Sequence, residues 1–160
     1  MAELRFVTTW WLEAPLDDVY RTIARSQCWP AWWKGLRTVE ELAPGNSEGI
    51  GRVYRYTWQS RMGYRLCFEV RVTRVLPGRL IEGVARGDVQ GTGRWRLSEE
   101  GPVTRVRYEW RVRPVRRWMA LVAPVAGPLF AWNHHAVMQD GAEGLARRLE
   151  ARLLGTSQDE

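Results

Sequence analysis

Apolar and polar residues alternate through most of this chain, and near the C-terminus the alternation gives way to a spacing of three and four. Alternation is the mark of a strand with one buried face, because successive side chains point to opposite sides of a sheet. Leu4 to Leu12 reads as the first such strand, with Leu4, Phe6, Thr8, Trp10 and Leu12 on one face. Pro15 then opens a helix whose apolar stripe is Leu16, Val19, Tyr20 and Ile23, with Asp17 and Asp18 placed to favour its dipole. A second short helix is expected from Pro30 in CWPAWWKG, stopped by Gly35.

Six further strands follow. They run from Arg37 to Leu42, Gly51 to Ser60, Met62 to Leu76, Leu80 to Asp88, Thr92 to Glu99 and Val103 to Arg113. Pro44-Gly45-Asn46, Pro77-Gly78 and Gly101-Pro102 mark turns between them. For Leu80 to Asp88 the inward face stays open, since Leu80/Val84 and Ile81/Ala85 compete. The chain closes on a spine between Val115 and Leu154, with Val137, Met138, Leu145, Leu149 and Leu153 at helical spacing. Pro124 and Pro128 are expected to bend or interrupt this helix, so that its main body runs from about Ala131 to Leu153. Short turns between successive strands mean antiparallel meanders, and segregated helices mean an α+β fold.

Composition narrows the picture less than pattern does. A chain of 160 residues is read as a single domain at residues 1–154, with 155–160 as a disordered tail. Cys28 and Cys67 lack metal-ligand spacing and nothing resembles a secretory signal, so a reduced, cytoplasmic protein is expected. The net charge of +6 comes almost wholly from arginine, Lys34 being the one lysine. In Val103 to Arg113 the arginines alternate with apolar residues, which reads as the solvated face of a strand. Arg65, Arg71, Arg105, Arg107, Arg111 and Arg113 are therefore expected outside, with no specific affinity for nucleic acid. The ten tryptophans are more than a core of this size ordinarily needs.

The strand leading into EAPLDDVYRTIA, the WPAWW that follows, GTGRWRLSEEGPVTRVRYEW and the terminal HHAVMQDGAEGLARRLE occur in an order that resembles the START/polyketide-cyclase superfamily. This superfamily has the helix-grip fold shared with the birch-pollen allergen, and the likeness is to its polyketide cyclase/dehydrase-like members. The resemblance covers residues 3 to 154 and implies a curved seven-stranded antiparallel sheet wrapped around a long C-terminal helix. It further implies two short helices after the first strand and a cavity between sheet and helix. Members bind sterols, lipids, aromatic polyketides or hormones, and some catalyse cyclisation or dehydration. No universal catalytic residue comes with the fold.

The inward faces place Trp10, Tyr54, Tyr56 and Trp58 around one space with Tyr64, Phe68, Trp95, Tyr108 and Trp110. Aromatic walls with a few polar tips suit a flat, partly oxygenated apolar molecule, in a cavity of roughly 300 Å³ or more. Arg52 shares the face of Tyr54 and Tyr56, where it would meet a carboxylate or phenolate; the alternative is an exposed position on the rim. His134 lies three before Val137 and four before Met138, so it and Met138 are candidate ligand contacts and His135 falls further round. A buried His134 would be neutral at pH 7 and able to act as a general base. Adjacent histidines without acidic or thiol neighbours make a poor metal site, and no metal or cofactor is expected.

Three function classes remain open. The chain is a carrier or sensor of a small hydrophobic, aromatic or lipid-like ligand; or it is a cyclase- or dehydratase-like enzyme using a pocket His or Tyr for proton transfer; or its arginines bind nucleic acid or membrane. The charge-free block Met119 to Trp132 is a candidate flap for closing the cavity or touching a membrane while ligand is exchanged.

Overall fold

The computed structural model describes residues 3–61, 63–115 and 123–159, with the side chains of 123–126 outside that description. The strands are β1 (Leu4–Glu13), β2 (Leu36–Ala43), β3 (Val53–Gln59), β4 (Arg65–Leu76), β5 (Leu80–Gly87), β6 (Val89–Glu100), β7 (Val103–Pro114) and β8 (Arg152–Asp159). Helix α1 spans Leu16–Ala24, a 3-10 turn Ser26–Ala31, and the long helix α2 Ala123–Leu149. The strands form one antiparallel sheet in the order β2-β3-β4-β5-β6-β7-β1-β8. This is the α+β helix-grip architecture, with eight strands where seven were expected.

Period-two burial gives the sheet a concave apolar face and an outer charged one. On the concave side, register lines up Val72, Gly83, Gly93, Trp110 and Phe6 across β4, β5, β6, β7 and β1. A parallel row runs Ile81, Trp95, Tyr108 and Thr8. Ile81, Gly83 and Ala85 thus face inward, which settles the face of β5. On the outer side Arg74, Glu82, Arg94 and Glu109 are cross-strand neighbours, and Glu82 reaches Arg94 at 2.8 Å. Arg65, Arg71, Arg111 and Arg113 are exposed, and Arg105 and Arg107 are half-buried. Exposed ion pairs of this kind contribute about 0.2–1 kcal/mol each, so they keep the face soluble more than they hold the fold.

Three expectations are corrected. Residues 155–159 of the expected tail belong to a strand: α2 ends at Leu149, Glu150 takes a left-handed φ of 51°, and the chain turns into β8 along the free edge of β1. Leu153 therefore sits on a strand and not on the helix. Polar contacts hold this strand, with Thr8 donating to Gln158 Oε1 at 2.8 Å and Thr156 donating to Gln139 Oε1 at 2.9 Å. The second short helix begins at Ser26, before Pro30, because Cys28 and Trp32 donate to carbonyls three residues back. Finally, α2 is continuous over Ala123–Leu149, so Pro128 does not interrupt it. Pro128 lies inside the helix and costs it one backbone hydrogen bond. The part of the expected flap at 119–122 lies outside the described residues.

The spine docks through its small residues. Met138, Ala142, Leu145 and Ala146 are buried against the sheet and α1, while Gly141 and Gly144 meet the WPAWW loop. Trp33 donates its indole N–H to the Val137 carbonyl at 2.8 Å, pinning that loop to the helix.

Candidate functional site

Between the concave face and α2 lies a cavity of about 190 Å³. The strands supply its wall: Arg52, Tyr54, Tyr56 and Trp58 from β3 and its approach, Tyr64, Leu66, Phe68 and Val70 from β4 and its approach, Trp95 from β6, and Tyr108 and Trp110 from β7. Helix α2 closes it with Phe130, Asn133, His134, Val137 and Met138. All the residues singled out in the sequence line this space except Trp10. That indole is 1% exposed and packs behind Trp33 and Trp95, with ring centroids 5.8 and 5.7 Å away. The cavity is smaller than expected because Trp29 and Trp33, brought in by the loop, occupy part of it. A larger concavity of about 410 Å³ between Trp32, Lys34, Arg147 and Arg148 is an open surface groove and encloses nothing.

Two glycines make room for the rings. Gly83 and Gly93 are register partners on neighbouring strands. A Cβ on Gly93 would come within 2.9 Å of the Tyr108 hydroxyl and 3.1 Å of the Trp110 ring. Isolated glycines inside strand patterns mark such close approaches, and that signal was present in EGVARG and GTGRW. Trp29 and Trp33 carry no comparable periodic signal, since they stand in a turn.

The polar groups are few. Tyr54 donates to Gln27 Oε1 at 3.1 Å, and Tyr56 is hydrogen-bonded to Ser26. Burial pushes the Tyr56 and Tyr108 phenols well above the ordinary range, so both remain neutral donors. His134 stacks on Phe6 at 4.2 Å and 22°, and its Nε2 is buried without a hydrogen-bond partner. Burial, with the neighbouring His135 adding to it, lowers its pKa to about 3. His135 meets Phe6 edge-on at 5.9 Å and does not line the cavity. Arg52 lies over the Tyr54 ring, 5.6 Å from its centroid, with Nε buried and without a hydrogen-bond partner. Among the described residues no group of three or more His, Cys, Asp or Glu could hold a metal ion. Both cysteines are free, and no described helix is long and apolar enough to cross a membrane.

At the far end of β3 the turn into β4 is tied to α2. Arg61 makes two 2.9 Å contacts with the Asp140 carboxylate, and its N–H donates to Asn133 Oδ1. The Asp140 side chain is 13% exposed and that of Arg61 47%, so the pair is screened by solvent much as the Glu82–Arg94 pair on the sheet is. Asp140→Asn is expected to cost about 1 kcal/mol in urea unfolding, with little further loss when Arg61→Ala is added.

The model of the family described as polyketide cyclase / dehydrase and lipid transport matches residues 12–140. The chain belongs to this family. Its fold recurs in the di-domain aromatase/cyclase BexL of the BE-7585A biosynthetic pathway, at 20% identity and a TM-score of 0.74. That match covers 94% of this chain and 51% of BexL, so the chain spans about half the length of that protein. The Zhui aromatase/cyclase of Streptomyces sp. R1128 is similar at 17% identity and a TM-score of 0.76, covering 93% of this chain and 94% of that one. A START superfamily protein from Mycobacterium smegmatis matches at 17% identity and a TM-score of 0.75, over 92% of this chain and 98% of that one. At such identities the likeness is one of fold. No curated protein matches the sequence.

Proposed function

We propose that this protein binds a flat, apolar molecule of one or two aromatic rings between sheet and helix, as a carrier or sensor. The observation that carries this reading is the aromatic-walled cavity of about 190 Å³. An engineered apolar cavity of about 150 Å³ takes up benzene, so this space suits one ring or two and is small for a longer polyketide. Leu129 and Trp132, exposed and three apart on α2 beside Phe130, offer apolar surface for transient membrane contact during exchange.

Titration with naphthylmethanol, followed by tryptophan fluorescence, tests the reading. A saturable change is expected, since the indoles of Trp29, Trp33, Trp58, Trp95 and Trp110 line the site. Gly93→Ala forces Tyr108 and Trp110 into the cavity and is expected to weaken binding tenfold or more while leaving the protein folded. Absence of a saturable signal, or an unchanged affinity in Gly93→Ala, counts against a ligand in this cavity.

A cyclase- or dehydratase-like activity is the second reading, favoured by the unpartnered Nε2 of His134. Its imidazole lines the cavity and is neutral at pH 7, the form that accepts a proton, but a pKa of about 3 makes it a weak base that a bound substrate would have to strengthen. His134→Gln keeps a hydrogen-bonding side chain and removes proton transfer. A carrier keeps its affinity in that variant and has no turnover to lose; an enzyme keeps binding and loses rate.

A further inference from the structure

Among the described residues, Arg52 is the only lysine or arginine lining the cavity. Elsewhere on β3 and its approach to β4 the arginines have acidic partners: Arg55 meets Glu69 at 3.0 Å, and Arg61 meets Asp140 at 2.9 Å. Arg52 forms no such pair among the described residues, although Glu48 also lines the cavity. Its guanidinium rests on the Tyr54 ring and beside Gly49, where an added Cβ would lie 3.6 Å from Cζ. Its Nε is buried without a hydrogen-bond partner, so an acceptor that reached it would satisfy a donor the protein leaves unpaired.

A guanidinium and an apolar wall in one cavity select for a particular chemistry. A cation would be repelled, and a neutral hydrocarbon would leave the Nε–H without a partner, which costs free energy when the group is buried. A carboxylate matches the planar fork with two parallel hydrogen bonds, and a charge-assisted pair is about twice as strong as a neutral one. We propose that the ligand of this cavity is an aromatic or similarly flat apolar acid, whose carboxylate is received by Arg52 while its ring body lies against Tyr54, Tyr56 and Phe68. This rests on the reading of the cavity as a ligand site and adds the class of ligand.

Naphthoate and naphthylmethanol share a ring system and differ in charge, so paired fluorescence titrations at pH 7 isolate the role of Arg52. Naphthoate is expected to bind at least tenfold more tightly to the wild-type chain. Arg52→Gln should abolish that preference by weakening naphthoate far more than naphthylmethanol, whereas Arg52→Lys, which keeps the charge, should retain part of it. Equal affinities for acid and alcohol in the wild type, or a preference for naphthoate that survives in Arg52→Gln, overturn the assignment while leaving the cavity a ligand site. Binding of neither probe overturns both.

Discussion

Gly144→Ala is expected to destabilise this protein by about 2–3 kcal/mol, although the same exchange inside an unobstructed helix stabilises by up to about 1 kcal/mol. The reason is distance. A Cβ built on Gly144 would stand 1.8 Å from the carbonyl oxygen of Trp32, closer than any relaxation of a side chain could relieve. The obstacle is backbone, so the whole WPAWW loop would have to lift from α2. That movement would strain the hydrogen bond from Trp33 to the Val137 carbonyl and the packing of Trp33 on Gly141. Gly127, on the same helix, has nothing within 4 Å of its would-be Cβ among the described residues. Gly127→Ala should therefore move stability the other way, by up to about 1 kcal/mol. Urea unfolding followed by circular dichroism gives both signs in one experiment. A neutral or stabilising Gly144→Ala would mean that the loop does not sit on the helix as described.

The loop is also where sequence reading reached its limit. Strand by strand, β3, β4 and β7 were legible because each buries one face, so that Tyr54 and Tyr56, or Tyr108 and Trp110, recur at every second position. The core stripe of α2 through Val137, Met138 and Leu145 was legible for the corresponding helical reason. WPAWW has neither period. Its indoles are placed by the glycines opposite them on α2, a relation between segments more than 100 positions apart, as the Trp33 to Val137 bond illustrates. The strand β8 was illegible for another reason: Gly155, Thr156, Ser157 and Gln158 pair through backbone and polar side chains, and such an edge leaves no apolar alternation to detect. Within the site, phase alone put His134 on the inward face of its helix and left Arg52 between an inward and a rim position. It could not reveal that Trp10 would be covered by Trp33, because that depends on the loop.

Lowering the pH from 7 to 5 is expected to cost the wild-type protein about 2 kcal/mol more than it costs His134→Gln. The imidazole of His134 is stacked on Phe6, close to His135, and has no acceptor or carboxylate at its buried Nε2. Burial and the neighbouring histidine bring its pKa from 6.5 down to about 3. Between those two values the unfolded chain binds a proton that the native chain does not, so stability rises with pH across the window. The contribution is fully present above about pH 6.5 and falls by about 1.4 kcal/mol for each pH unit below it. At pH 5 the deficit is about 2 kcal/mol. Glutamine at this position takes up no proton in either state, so its unfolding free energy should be flatter over the same range, and every other group is common to both proteins. The check is a pair of urea unfolding series at pH 7 and pH 5. Parallel behaviour of the two proteins would mean that His134 titrates near its ordinary value in the folded state. A histidine titrating there is still mainly neutral at pH 7 and, with a pKa close to the working pH, is a stronger general base than one held near 3, so that outcome would favour the enzymatic reading.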